Sequence, residues 1–556
     1  MLPRGSQLLR CHMKRTSVRR VFPFALPILL VSCFFVLEAR RETVARAAPK
    51  FPGVLTWHND NMRTGRNPAE TTLTLKNVNS TTFGKLFVLA TDGLADAQPL
   101  YAPNLTVGGN PHNVVFVASE HGTVYAFDAD NGASLWKVTT LKSAEKPSDN
   151  RGCSQVTPEI GVTSTPVIDL TAGPHGTIYL VAMSKDSAGD YHQRLHALDV
   201  TSGAEQFGGP MEIAAQYPGT GDNSQGGYVI FDPAQYKERA GLLLLNHIVY
   251  TSWASHCDNR PYTGWIMGYN QTTLAQQSVL NVTPNGNEGA IWAAGAGPAA
   301  DGAGNIFFLD ANGTFDTTLD ANGFPENGDY GNAIVRLSTK GGKLSVADYF
   351  NMYNSVSESD ADEDLGSGGA MIVPNFKDSN GKVHKLVVGA GKDTNIYLAD
   401  RTNMGKFNPS NNNQIYQELS GALSGQVFSA PAFEGGRIYY GAVGSPIKAF
   451  AFNASGQLNS APQGITSTVF GFPGATPSIS GNSHANLILW ASENTSPAVL
   501  HAYNANDLGF ELYNSNQATG GRDHFGNGNK FITPTVANGK VYVGTQTGVG
   551  VFGLLP

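Results

Sequence analysis

Charge is scarce in this chain. Only 15% of its 556 residues are Asp, Glu, Lys or Arg, while Gly (64) and Pro (30) are plentiful. Long stretches also lack the apolar period of an amphipathic helix, so the composition predicts a turn-rich, all-β protein. Several reaction signatures are missing. No Gly-x-Ser-x-Gly elbow and no Gly-Lys-Ser/Thr phosphate loop occurs, which leaves hydrolase and nucleotide readings without support. The 13 His are scattered and nothing in their distribution argues for zinc. Basic residues are few outside the N-terminus. Residues 1–47 hold nine of the 37 Lys/Arg and two of the 44 Asp/Glu, leaving 28 basic against 42 acidic residues, a net of −14. A surface that negative repels a phosphate backbone, so no nucleic acid is expected as partner.

The basic head precedes an apolar run, Val21–Leu37, and Ala45-Arg46-Ala47 offers a small-x-small cleavage site. This is the pattern of an export signal over residues 1–47. Pro23 and Pro27 within a 17-residue run argue against a stable spanning helix. Two other readings stay open: Leu30-Val31-Ser32-Cys33 resembles a lipoprotein box, and Arg19-Arg20-Val21-Phe22 a partial twin-arginine signal. The expected location is periplasmic or extracellular, with a membrane met only through an uncleaved or lipidated N-terminus. Cysteine is rare, and after cleavage only Cys153 and Cys257 remain. In an oxidising compartment they either pair, closing a loop with a chain-entropy gain of ~4–5 kcal/mol, or stay as two separate buried thiols. The sequence leaves both open.

What the chain has is repetition. Val114–Ala118 and Thr123–Asp128 alternate in hydrophobicity around a turn at His121-Gly122, and a second turn at Asp130-Asn131-Gly132 leads to Leu135-Trp136. Strand, tight turn, strand and turn follow, with Gly where a hairpin needs positive φ. The same grammar recurs after Thr165-Pro166, Gly241-Leu242, Gly297-Pro298, Val373-Pro374, Ala430-Pro431, Thr476-Pro477 and Thr533-Pro534. Eight units result, spaced by roughly 40–75 residues, each a small sheet that must stack on its neighbours to bury its faces. Radial closure removes the exposed ends. The last unit lacks an outer strand, and Lys85–Leu89 is expected to supply it. The predicted fold is an all-β, eight-bladed β-propeller of four-stranded antiparallel blades, closed by an N-terminal strand. It occupies residues 83–556, after a polar segment at 48–82.

The Val-Tyr-Ala-Phe-Asp…Asn-Gly…Leu-Trp unit resembles the pyrroloquinoline-quinone (PQQ)-type repeat of the quinoprotein alcohol dehydrogenase-like superfamily, over residues 54–556. That superfamily holds both dehydrogenases and non-catalytic propellers, and a fold alone does not choose between them. The resemblance implies site residues as well. Trp292, in Gly289-Ala290-Ile291-Trp292, matches the aromatic floor under the quinone. Asn312, in Asn312-Gly313, matches a Ca²⁺ ligand, and Lys392, in Gly391-Lys392-Asp393, the cation that reaches the quinone oxygens. Thr163 matches a hydroxyl meeting a cofactor carboxylate, and Asp362, within Asp360–Gly366, the catalytic base. Together these would orient a planar quinone, polarise it and take a proton from an alcohol. Each has a plainer reading: a packed blade aromatic, a turn Asn, a hairpin Lys, a strand Thr and a solvated acidic loop.

The chain departs from that pattern. The dehydrogenases' two adjacent cysteines have no counterpart in Gly152-Cys153-Ser154. Their Glu ligand to Ca²⁺ is matched only loosely, by Asp190, and no Cys-x-x-Cys-His haem motif is present. Two functions are therefore expected in turn. The first is a scaffold or binding propeller, presenting loops on one face to a protein or polysaccharide. The alternative is a PQQ- and calcium-dependent alcohol or sugar dehydrogenase with an altered site. Two polar segments, Trp57–Asn67 and His256–Tyr262, stand out without a chemistry of their own.

Overall fold

The structure, a computed structural model, describes residues 51–556; the expected export signal at 1–47 lies outside them. Eight antiparallel sheets follow one another along the chain. Blade 1 shows the pattern: Leu100–Val107, Asn110–Ala118, Thr123–Asp128 and Ser134–Thr139 pair in sequence order as a meander. Its third strand is buried along its whole length, because a blade is covered on both faces by its neighbours. The ring closes as the sequence predicts. Phe83–Ala90 pairs antiparallel with the C-terminal Gly548–Leu554 and completes blade 8 as its outer strand. Blade 3 differs in one respect that matters below. Its inner strand comes in two pieces, Tyr236–Glu238 and Leu243–Leu245, both paired with Ile248–Ser255. Among the described residues no helix is long and apolar enough to cross a membrane.

Apolar clusters fill the interfaces between blades. One cluster joins Tyr542 and Val551 of blade 8 to Val115 and Phe116 of blade 1 and Ile178 and Leu180 of blade 2. Another joins Tyr179 of blade 2 to Trp253 and Trp265 of blade 3, and further clusters continue around the ring. Each fully buried large side chain contributes about 1.5–3 kcal/mol, so removing a blade would expose two such faces at once.

The polar segment ahead of the first blade runs along the inner strands of all eight. In chain order, Val54 exchanges hydrogen bonds with Tyr101 of blade 1, and Leu55 O accepts from Ile168 of blade 2. Asn61 donates its side-chain amide to Leu244 O of blade 3, while its own carbonyl accepts from Ala300 of blade 4. Met62, Thr64 and Gly65 carbonyls accept from Ile372, Phe433 and Ile479 of blades 5, 6 and 7. Asn67 Nδ2 donates to Val536 O of blade 8. The segment is polar because it meets strand edges rather than apolar faces, and a buried strand edge needs partners. Arg63 anchors it. Fully buried, its guanidinium donates to Pro298 O (2.9 Å), Trp57 O (2.9 Å), Leu242 O (3.2 Å) and Thr56 Oγ1 (2.8 Å).

Replacing Arg63 with Met leaves three buried carbonyls without donors, at about 1 kcal/mol or more each. Arg63→Met is therefore expected to move the urea unfolding midpoint well below that of the parent, followed by tryptophan fluorescence. An unchanged midpoint would show that the segment is not holding the blades.

Candidate functional site

The connections entering the inner strands converge on the ring axis around a cavity of ≈260 Å³. Its aromatic wall comes from separate blades. Trp292 lies between blades 3 and 4, with ring centroids 6.0 Å from Phe428 and 6.1 Å from Phe531. Phe472, half-exposed, stands 5.4 Å from Phe428. Trp292 is presented by an unusual turn. Ala293 (φ 45°), Ala294 (φ 47°) and Gly295 (φ 93°) are all left-handed. Such a conformation costs a non-glycine residue roughly 1–2 kcal/mol and is typical of sites where the fold overrides local preference. Gly295 suits the turn because its φ of 93° is one that L side chains rarely adopt. Behind the turn, Trp57 of the N-terminal segment packs on Ala293, Ala296 and Ala430.

The polar wall joins residues far apart in sequence. Lys392 follows the second strand of blade 5, and its Nζ lies 2.8 Å from Asp364 Oδ1 and pairs with Asp362 Oδ1. Asn312 Nδ2 donates to the same Asp362 oxygen at 2.8 Å. The two loops are also tied through main chain, Lys392 N to Asp364 O at 2.9 Å. Gly391 permits this, because a Cβ would meet Asp364 O at 2.3 Å. Burial alone would lower Lys392, but Asp364 and Asp362 hold the ammonium above its ordinary value. Burial in turn pushes Asp364 up. The Asp362 side chain is two-thirds exposed at 67%, whereas Asp364 is buried.

The structure thus brings Trp292, Asp362 and Lys392 onto one cavity, with Asn312 hydrogen-bonded to its edge. Thr163 does not line it. Its hydroxyl donates to buried Glu120 Oε2 at 3.0 Å, beside Gly161 N at 2.8 Å. Burial, and then Asp96 nearby, raise Glu120 well above a normal carboxyl. Cys153 and Cys257 pair, with Cα atoms 5.6 Å apart, and Cys257 lines the cavity with Asp258. The polar segment 256–262 therefore supplies part of the wall. Asp190 lies instead in a turn on blade 2, where its backbone N–H donates to Asp186. The sequence Leu-Asp-Ala-Asn-Gly occurs twice, at 309–313 and 319–323; the first reaches the site, while in the second the Asp320 side chain caps its own turn.

Sequence reasoning missed Lys237 and Arg239, which line the cavity from the first piece of blade 3's inner strand. The signal was present: Lys237-Glu238-Arg239 puts three consecutive charges where the repeat grammar calls for apolar residues. Strand alternation sends Lys237 and Arg239 to the cavity and Glu238 to the other face, where both its oxygens accept from Ser252 N.

The residues present fit a planar quinone: an aromatic wall and a buried lysine facing one cavity. They fit calcium less well. Asp310 Oδ1 and Oδ2 and Asn312 Oδ1 are buried without partners, but among the described residues no three acidic, His or Cys side chains converge to hold an ion. No step is therefore assigned to a metal. The His-x-x-x-His spacing at His192 and His196 lies on a strand, and each ring is held by its own carboxylate, Glu212 and Glu205.

Three carboxyls beside the site or in its loops are pushed up by burial: Glu358 to about 8, Asp393 to about 6 and Asp329 to about 6. Glu358 sits in the short helix Ser355–Asp360 that leads into the acidic loop, and accepts from Asn354 Nδ2 at 2.7 Å. A raised folded-state value means the fold prefers the protonated form. Stability should therefore fall as pH rises from the ordinary Glu value near 4.5 to about 8. Glu358→Gln is expected to flatten the loss of melting temperature across that window. An equal loss in the variant would assign the slope to other groups.

No protein-family model and no curated protein matches the chain. Solved structures do. A quinohemoprotein alcohol dehydrogenase from Comamonas testosteroni is 14% identical, over 92% of this chain and 81% of that one, with a TM-score of 0.58. A quinohemoprotein alcohol dehydrogenase from Pseudomonas putida HK5 is 12% identical, over 91% and 80%, with a TM-score of 0.59. A europium-containing methanol dehydrogenase is 12% identical, over 91% and 99%, with a TM-score of 0.56. At these identities the likeness speaks to architecture alone: this chain has the PQQ-type eight-bladed propeller fold of the quinoprotein dehydrogenases.

Proposed function

We propose that this chain is an exported, small-molecule-binding propeller whose axial cavity takes a planar aromatic ligand of the quinone type. The observation that carries the reading is the meeting of Trp292, Asp362 and Lys392 from three separate connections on one cavity. A packed blade aromatic, a solvated loop and a hairpin lysine have no reason to share a site. A bound quinone supplies two-electron oxidation, in which an alcohol becomes the carbonyl compound and the quinone the quinol.

The chain's own residues would do the rest. Trp292 and Phe428 orient a flat ring and keep water from it. Lys392, held charged by its two carboxylates, places positive charge where an oxyanion develops. Asp362, the more exposed of the two, is the carboxylate that can receive an alcohol's proton at Oδ1 or Oδ2. The disulfide Cys153–Cys257 gives the wall a covalent tie between residues 104 positions apart, and suits an oxidising compartment.

A second reading has its own support. Lys392 is already paired with Asp362 and Asp364, so its charge has partners within the protein and the cluster could serve a cofactor-free scaffold that presents loops to a protein or polysaccharide. One titration separates the two. Purified protein is mixed with PQQ, with and without Ca²⁺, and followed by absorbance and thermal shift. Saturable binding is expected, weakened at least about tenfold in Trp292→Ala and in Lys392→Ala. No binding at micromolar PQQ would leave the scaffold reading in place.

A further inference from the structure

Lys237 and Arg239 form an ionic feature that nothing inside the protein completes. Both are almost wholly buried, at 2% and 4% exposure, and both line the axial cavity. Among the described residues neither side chain makes a hydrogen bond or a salt bridge within 4.0 Å, and Arg239 Nη2 is a buried donor without a partner. The guanidinium instead lies over the Phe531 ring, 5.1 Å from its centroid, and against Gly295 of the left-handed turn. Glu120, Asp96 and Asp258 are near enough to bias Lys237 electrostatically, but they pair with neither cation. Burial, and then Asp96, push Glu120 itself up. His256, buried on the same strand end, has both ring nitrogens unpartnered, and burial, with Lys237 next, drives it down to about 3. An imidazole carries no negative charge in either protonation state and cannot serve as a counter-ion.

Two adjacent unpaired cations in a closed core are expensive, since a buried charge is normally paired or lost. Burial already lowers Lys237 to about 8. Such an arrangement persists where a partner arrives from outside, as strained or destabilised groups gather at binding sites. The geometry suits an oxyanion. A guanidinium presents a planar fork, an ammonium a point charge beside it, and the two emerge from one strand face two residues apart.

We propose that Lys237 and Arg239 form an anion receptor that grips a carboxylate of the cavity's ligand, so that the molecule taken up is an anionic aromatic acid. The proposal rests on the reading of the axial cavity as a ligand site. It does not require the ligand to be redox-active.

The test uses full-length protein and isophthalate, with neutral isophthalamide as control and PQQ as a separate arm, read by calorimetric titration and tryptophan fluorescence. Isophthalate is expected to bind and isophthalamide to bind far more weakly. Lys237→Met and Arg239→Met should each weaken isophthalate about tenfold or more, and Lys237→Arg should retain most of it. A second measurement guards against misfolding. If the cations are kept for a ligand, the double Met variant should melt at or above the parent temperature without ligand. Equal isophthalate affinity in parent and double variant would overturn the proposal, as would a lower-melting double variant, which would make the cations structural. Binding of PQQ that depends on Trp292 but not on Lys237 or Arg239 would overturn the receptor while leaving the ligand site intact. Absence of any binding in either arm would remove both.

Discussion

Ring closure by main-chain pairing is the constraint on which everything else in this molecule rests. Eight meander sheets have apolar faces that only a neighbour can cover, and a linear stack would leave two of them bare. The pairing of Phe83–Ala90 with Gly548–Leu554 removes those ends. The thread from Val54 to Asn67 adds a second closure at the hub, with each of eight inner strands sharing a hydrogen bond with successive points along it. The two closures use the same stretch of N-terminal chain, so the first forty described residues decide whether the other blades share an axis.

The candidate site is a consequence of that axis. No single blade contains it. Trp292, Lys392, Phe428 and Phe472 belong to different connections, and only closure brings them within one cavity. The site also brings together buried charge, left-handed alanines and unpartnered polar atoms. Each carries a cost that the surrounding sheets absorb. Lys392 is paired with two aspartates, whereas Lys237 and Arg239 have carboxyls near them but no direct partner. That difference separates a paired cation from two that await a partner.

The likeness to quinoprotein dehydrogenases is architectural, at 12–14% identity, and the departures lie where chemistry would be decided. Cys153 has no adjacent cysteine and reaches Cys257 on another blade's insertion instead. The acidic donors near Asn312 do not assemble into a cage. The cavity does hold an aromatic wall and a lysine, the parts proposed above to take a flat ring.

The sequence by itself determined the fold. Alternation of apolar residues, Gly at positive-φ turns and the recurring Pro beside most inner strands are local signals, and a propeller is their repetition. The missing outer strand of the last unit even announced how the ring would close. It also marked Trp292, Asn312, Asp362 and Lys392 as residues of interest, through short motifs. Only the tertiary structure decided their company. That Thr163 serves Glu120 rather than the cavity, that the two cysteines pair, and that residues 54–67 thread the hub all depend on distances between blades. So does the isolation of Lys237 and Arg239, because whether a charge is paired is a property of the space around it. Periodicity is written along the chain, but convergence on an axis is set by closure, and closure has no local signature at the residues it brings together.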